Sequence, residues 1–358
     1  MNDKLQQLRT HIDAVDENIQ SLISERAAWA IEVAQVKRAA GEAECYRPER
    51  EAEVFSKVAT RNQGPLADED MVRLFREIVS ACRALEQPMK IAFLGPEGTF
   101  TQTAALKHFG RSVRTVPLAT IDQIFHDVES GAVDYGVVPV ENSTEGVVGH
   151  TLDSFINSPL KICGEIELRI HHLLLDASGD MKAVKRIYSH PQSLAQCRNW
   201  LANNFSGIEC LSVSSNAEAA RRAAQEPGTA AIAGNTAAEI YQLSILASNI
   251  EDEANNATRF LVIGRHVTQP SGNDKTSLLI TTGNRPGALY RLLAPFERNG
   301  IGLTRIESRP SRQGTWDYVF FIDVDGHAHD QPMVEALREL EAQAALVKLL
   351  GSYPKAIV

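Results

Sequence analysis

The chain has 358 residues, 44% of them hydrophobic and 6% aromatic, with a formal net charge of −9. That length allows two or three domains with their own cores, while the negative balance and the lack of a basic run argue against a nucleic-acid partner. No apolar stretch is long enough to span a bilayer, so no membrane partner is expected, and Met1-Asn2-Asp3-Lys4 lacks the basic-then-apolar pattern of a signal peptide.

From Leu5 to about Ala40 there is no proline or glycine, and apolar residues recur at steps of three and four. Leu5, Leu8, Ile12, Val15, Ile19, Leu22, Trp29, Val33 and Val36 trace one seam of a long helix that Gly41 ends. A second helix is predicted from Pro48 to about Thr60, since proline suits a first turn. Asn62-Gln63-Gly64-Pro65 breaks the chain, and Asp68 is expected to cap a third helix with the stripe Met71, Leu74, Phe75, Ile78, Cys82 and Leu85. A helical segment this thin has no second layer to cover its seam, so a homodimer, or a higher homo-oligomer, is inferred.

One residue breaks the seam. The alternation runs from Leu22 through Arg26 to Trp29, so a guanidinium stands where a core side chain belongs. Isolated buried charge is costly; Arg26 therefore meets a partner carboxylate, fixes helix register, or holds an anionic ligand. Lys37 lies three turns on and about 20° around the helix, so the two can lean over one ligand. Arg9 cannot join them from the same helix, being about 25 Å from Arg26 and about 40 Å from Lys37. An antiparallel partner helix would have to supply it. Arg50 and Glu51 on the second helix and Glu86 on the third complete a polar set.

Pro88 and Met89 mark a boundary after which strands and helices alternate. Tyr135–Val140 reads as a buried parallel strand running straight into Glu141-Asn142-Ser143-Thr144-Glu145-Gly146. In open α/β sheets ligands sit beyond the carboxyl ends of strands, although a capping loop has the same composition. Ile91–Leu94 leads similarly into Gly95-Pro96-Glu97-Gly98-Thr99-Phe100-Thr101, Arg186–Tyr188 into Ser189-His190-Pro191-Gln192, and Ala230–Ala233 into Gly234-Asn235-Thr236. Free N–H groups at helix starts suit carboxylates, so four such loops suggest a cleft for an anionic small molecule. His171, His172 and His190 have no paired cysteine or aspartate to support metal or triad chemistry.

His266 to Asp274 reads as a second linker. Beyond it the order is strand (276–281), helix (286–298), strand (303–307), strand (318–324), helix (333–344) and strand (346–350), the ferredoxin-like βαββαβ unit. The expected domains are thus 1–88, 89–266 and 275–358. The cysteines (Cys45, Cys82, Cys163, Cys197 and Cys210) are odd in number and widely spaced. They match neither a metal site nor a secreted disulfide framework, which fits a reducing cytoplasm.

The loops at Gly95–Thr101, Glu141–Gly146 and Ser189–Gln192, followed by Thr258-Arg259-Phe260, resemble prephenate dehydratase in their order from about Met89 onward. Gly287-Ala288-Leu289 and Glu307-Ser308-Arg309-Pro310 resemble the two signatures of the regulatory ACT domain, and the first segment resembles a helical chorismate mutase. The whole is similar to the bifunctional chorismate mutase–prephenate dehydratases. The resemblance implies an all-α mutase domain, a two-lobed α/β dehydratase domain like periplasmic binding proteins, with a second lobe from about Glu165 to Ile250, and an α+β ACT domain.

It also implies roles. Arg9 from the other subunit and Arg26 would hold the carboxylates of chorismate, Lys37 and Glu86 would flank its ether oxygen, Glu51 would accept the ring hydroxyl, and Arg50 would add charge. Cys82 and Glu86 depart from one version of that family, which has serine and glutamine there. A glutamate donates a hydrogen bond only when protonated, so the mutase rate is expected to rise on acidification and Glu86→Gln to flatten the response; a solvated Glu86 predicts no such change. Glu141, Asn142, Ser143, Gln192 and Thr258 match catalytic positions of the dehydratase, with Thr258 bonding the leaving hydroxyl, helped or not by a neutral Glu141. Thr99, Thr101 and Ser189 would hold carboxylates, and Arg259 would bind substrate or orient a neighbouring carboxylate. Gly287, Ala288, Leu289, Glu307, Ser308 and Arg309 would bind phenylalanine as effector, unless that unit serves dimerisation alone. Neither cofactor nor metal is implied. A non-catalytic metabolite sensor and an arogenate-preferring dehydratase are the rival readings.

Overall fold

The computed structural model describes residues 2–41, 46–283, 285–310 and 318–356; Cys45 lies outside them. The chain forms two compact units, one of Met1–Arg47, Glu53–Met89 and Phe109–Arg114, the other of Pro48–Ala52, Lys90–His108 and Thr115–Val358.

The first unit is built on helix α1 (Asn2–Ala39), the part of α2 (Pro48–Arg61) from Glu53 on, and α3 (Asp68–Glu86). Asp68 is the first helical residue, not the cap: Ala67 occupies that position, and the Asp68 carboxylate instead accepts from Asn62 Nδ2 at 2.7 Å. The α1 seam is uncovered within the chain, with Leu5 47%, Leu22 64% and Val36 69% exposed. On α3 the buried residues are Val72, Val79, Ser80, Cys82 and Arg83, whereas Leu74 and Leu85 of the expected stripe are 49% and 57% exposed. A stripe read from spacing marks every apolar face, and one chain covers only the face its own neighbours reach.

In the second unit, strands β1 (Lys90–Leu94), β2 (Arg114–Leu118), β3 (Tyr135–Asn142), β4 (Gly146–Val147) and β5 (Lys161–Arg169) alternate with helices α4 (Phe100–Phe109), α5 (Ile121–Ser130) and α6 (Gly149–Asn157). The chain then builds a second sheet from β6 (Leu173–Asp176), β7 (Arg186–Ser189), β8 (Glu209–Ser212), β9 (Thr229–Ala233) and β10 (Ser244–Ala247), with α7 (Pro191–Gln196), α8 (Arg198–Asn204), α9 (Asn216–Gln225) and α10 (Asn235–Tyr241). It returns to the first sheet as β11 (Ala257–Gly264), giving the orders β2-β1-β3-β11-β5 and β10-β6-β9-β7-β8. Two crossings therefore connect two α/β lobes. The second lobe is narrower than Glu165 to Ile250, because β5 pairs with β11 along its length in the first sheet.

The polar loop after β3 does not lead directly into a helix. The strand extends to Asn142 and folds back as a hairpin with β4, and α6 starts at Gly149. The other three loops do enter helices, at α4, α7 and α10.

The remaining elements are β12 (Asp274–Thr282), α11 (Ala288–Arg298), β13 (Leu303–Pro310), β14 (Tyr318–Asp325), α12 (Gln331–Glu341) and β15 (Leu346–Pro354), in the sheet order β13-β14-β12-β15. This is the ferredoxin-like arrangement. Residues alternate between the faces of a strand: Leu278 and Ile280 pack with Leu292, Phe296 and Met333 beneath the helices. Leu279, Phe321, Leu350 and Tyr353 face the other way and share a core with Val138, Phe155 and Ile162 of the first lobe. An apolar run without alternation is what a strand buried on both faces requires.

Candidate active sites

Beyond the ends of β3 and β11 lies a cleft of about 470 Å³ whose walls come from both lobes. Register sets its chemistry. Thr258 pairs with Asn142 and Arg259 with Glu141, so alternation sends Asn142 and Thr258 to one face and Glu141 and Arg259 to the other. Asn142 and Thr258 line the cleft, and Asn142 Nδ2 donates to Thr258 Oγ1 at 2.8 Å and to Asn256 Oδ1 at 2.9 Å. Thr99, Thr101 and Gln192 also line it, and Thr99 Oγ1 donates to Leu94 O at 3.0 Å.

Four predicted site residues are not brought to that wall. Glu141 meets Arg305 of β13, Nε to Oε2 at 2.8 Å. Ser143 Oγ bonds Asn255 O and accepts from Ala257 N, pinning the hairpin to the start of β11. Ser189 is fully buried, its hydroxyl donating to Asn216 Oδ1 or Ile232 O. Arg259 uses its guanidinium on Glu165 at 2.9 Å, Asp323 at 2.6 Å and the Tyr353 hydroxyl at 3.0 Å. A substrate-binding Arg259 and a proton relay from Glu141 to Thr258 are thus not the arrangement found, because strand alternation turns both charged side chains toward the ferredoxin-like sheet.

Polar cleft residues without a role expected from sequence include Gln196, Asn256 and two of the histidines, His172 and His190. Asn256 Nδ2 donates to Gln196 Oε1 at 3.1 Å, and His172 Nε2 lies 2.8 Å from that same oxygen. Gln196 is one helical turn after Gln192, and Asn256 is two residues before Thr258, just ahead of β11. Burial pushes the His172 imidazole below the ordinary histidine value, opposed by its bond to Gln196 and by Glu251.

In the helical unit Arg26 and Lys37 are part-buried on α1, whereas Arg9 is exposed. Arg38 Nη2 donates to Glu86 O at 2.8 Å, bringing the end of α3 to the turn of α1 that carries Lys37. Glu86 Oε2 is buried with no hydrogen-bond partner, and Cys82, one turn earlier, is buried. Arg50 and Glu51 lie in the first turn of α2, in the segment that belongs to the second unit, exposed and part-buried respectively.

Gly287 has φ +74 at the start of α11, the left-handed region that glycine occupies without strain. Ala288 is part-buried and Leu289 exposed. Glu307, Ser308 and Arg309 lie near the end of β13, and Arg309 reaches Asp153 on α6 with bonds of 2.7 and 3.1 Å. Among the described residues no group of His, Cys, Asp and Glu is arranged to hold a metal, and no helix is long and apolar enough to cross a membrane.

Three family models match in succession: Chorismate mutase type II over residues 8–87, Prephenate dehydratase over 91–268 and the ACT domain over 276–342. A "Bifunctional chorismate mutase/prephenate dehydratase" of Stutzerimonas stutzeri is 56% identical over 361 residues, 99% of each chain. A solved prephenate dehydratase from Arthrobacter aurescens, in complex with L-Phe, superposes with a TM-score of 0.69 at 34% identity, covering 75% of this chain and 90% of that one. A structure described as a quorum-quenching acylase has the same TM-score of 0.69 at 31% identity, covering 75% and 98%.

Proposed function

The chain belongs to the bifunctional chorismate mutase/prephenate dehydratases, and from that premise we propose how its residues divide the work. The helical unit rearranges chorismate to prephenate, and the α/β cleft converts prephenate to phenylpyruvate. The single observation that supports the second assignment best is the Asn142–Thr258 pair at 2.8 Å on the cleft wall.

The mutase step is pericyclic, so the protein has to hold chorismate folded and stabilise charge on its ether oxygen. Arg26 binds a carboxylate, for which its planar fork is suited, while Lys37 and Glu86 flank the ether oxygen. Arg9, roughly 40 Å from Lys37 along the helix, contributes from the second copy of a homodimer whose contact covers the exposed α1 seam.

In the dehydratase step prephenate loses its ring carboxylate as carbon dioxide. The electron pair of that bond enters the ring, the ring expels its hydroxyl, and one proton from solvent turns the hydroxide into water. Thr258 donates a hydrogen bond to the departing oxygen, and Asn142, Gln192 and Gln196 grip the polar ends of the substrate. Thr99 and Thr101, beside the start of α4, receive a carboxylate. Phenylalanine binds the ACT unit around Gly287–Leu289 and Glu307–Arg309 and inhibits the dehydratase.

A cytoplasmic setting agrees with Cys82, Cys163, Cys197 and Cys210 being free thiols. The deciding assay supplies chorismate to the purified protein and follows its loss together with the appearance of phenylpyruvate. Turnover of neither chorismate nor prephenate would leave the metabolite-sensor reading, and faster turnover of arogenate than prephenate would reassign the substrate.

A further inference from the structure

The cleft contains a hydrogen-bond chain whose direction is dictated from one end. Asn142 Oδ1 lies 3.0 Å from the backbone nitrogens of both Thr144 and Glu145. A backbone N–H can only donate, so that atom must be the amide oxygen, and the other end of Asn142 must be the NH2 group. Its two strongest contacts, Thr258 Oγ1 at 2.8 Å and Asn256 Oδ1 at 2.9 Å, are therefore acceptors. Asn256 in turn presents its NH2 to Gln196, 3.1 Å away, which fixes the Gln196 atom there as oxygen. His172 Nε2, 2.8 Å from that oxygen, must then carry a proton.

Two donors are left over on residues that line the cleft. The Thr258 oxygen accepts from Asn142, so its own hydrogen is turned elsewhere. The Gln196 oxygen is held by Asn256 and His172, so its NH2 group is turned away from them. His172 is 1% exposed and its Nδ1 has no hydrogen-bond partner, so the ring is anchored through Nε2. The chain also spans the crossings between the lobes. His172 follows β5, Asn256 precedes β11, and Ile170 N donates to Asn256 O at 2.8 Å.

We propose that His172 and Asn256 are positioning residues of the dehydratase, holding a one-way hydrogen-bond chain that aims the Thr258 hydroxyl hydrogen and the Gln196 amide hydrogens at prephenate. This rests on the dehydratase reading above and goes beyond it, since neither residue touches the reacting atoms. Preorganised donors need no reorientation as charge develops on the departing hydroxyl.

Asn256→Asp tests the direction of the chain at nearly constant shape. Above the carboxyl's pKa the aspartate cannot donate to Gln196, so Gln196 must turn its NH2 toward the carboxylate and out of the cleft. Below it, the protonated acid donates as asparagine does. Asn256 is 3% exposed, so burial raises the pKa of an aspartate there above the ordinary carboxylate range; the kcat for prephenate, relative to wild type, should be down at least tenfold at pH 8 and recover as pH falls toward 5. The other titratable groups around the chain are His172, Glu251 and His171 behind it, Asp252 beside Gln196, and Glu145 and His190 on the cleft. They are common to both proteins, so the ratio removes their shared contribution. In parallel, His172→Phe should lower kcat about tenfold with KM nearly unchanged, and His172→Gln, which keeps an N–H near the Nε2 position, should restore most of it. A kcat ratio for Asn256→Asp that is constant from pH 5 to 8, or His172→Gln as impaired as His172→Phe, would overturn the proposal. If His172→Phe does not fold, the Asn256→Asp profile decides alone. Wild-type protein that fails to turn over prephenate in the same assay would sink the dehydratase reading instead.

Discussion

Arg305 of β13 donates from Nε to Glu141 Oε2 at 2.8 Å, so the ferredoxin-like sheet grips the residue immediately before Asn142. The Glu141 side chain is 39% exposed and that of Arg305 12%; water screens the carboxylate end, and the pair adds on the order of 1 kcal/mol to stability. Its consequence is positional, because a shift of Glu141 carries the backbone of Asn142 with it.

Arg305→Met should therefore leave thermal stability and chorismate mutase activity close to wild type while weakening phenylalanine inhibition of the dehydratase at least threefold. A phenylalanine titration of prephenate turnover reads this directly. Coupling is reciprocal, so prephenate should weaken phenylalanine binding in wild type and do so less in the variant, measured by calorimetry.

The buried cluster one residue along is different in kind. Arg259 and Asp323 side chains are 13% and 8% exposed and lie 2.6 Å apart. Burial opposes the Arg259 charge, but Tyr353, Asp323 and Glu165 around it hold its pKa above the ordinary value. Asp323→Ala leaves that guanidinium without a main partner and should cost about 3 kcal/mol or more, read as a lowered urea midpoint. Tyr353→Phe, which removes the hydroxyl's bonds with Arg259 and Ser277, should cost about 2 kcal/mol.

The two activities should separate by mutation. Arg26→Ala is expected to lower chorismate consumption by about a hundredfold or more and to leave prephenate turnover intact. Thr258→Ala should do the reverse, with prephenate accumulating from chorismate. Loss of both activities from either single change in a folded protein would contradict independent sites.

Acid should expose one ion cluster. Glu218, in the first turn of α9, bonds Arg221 and Arg222, and these hydrogen bonds lower its pKa from 4.5 to about 2. A depressed acid stabilises the fold fully above its unfolded value and loses that contribution as pH falls through the folded one. The difference in urea midpoint between wild type and Glu218→Gln should thus be largest at pH 5 and shrink as pH drops from 4.5 toward 2.

Much of the architecture was legible in residue order alone. The 3.5-residue seam from Leu5 to Val36, the breaks at Asn62–Pro65 and Pro270–Asn273 and the alternation after Met89 are local properties of the chain, and local pattern determines which elements form. The loop motifs likewise marked where the cleft would lie, because Asn142 ends β3 and Thr258 stands in second place in β11. Tertiary structure decided which residues face that cleft. The bulged antiparallel register of β3 and β11 puts Thr258 opposite Asn142 and sends Glu141 and Arg259 to Arg305 and Asp323, more than sixty residues away in sequence for either pair. Gln196 and Asn256 became site residues only when two strand crossings brought the lobes together. Register and long-range packing depend on every neighbour at once, so no motif of adjacent residues could carry them.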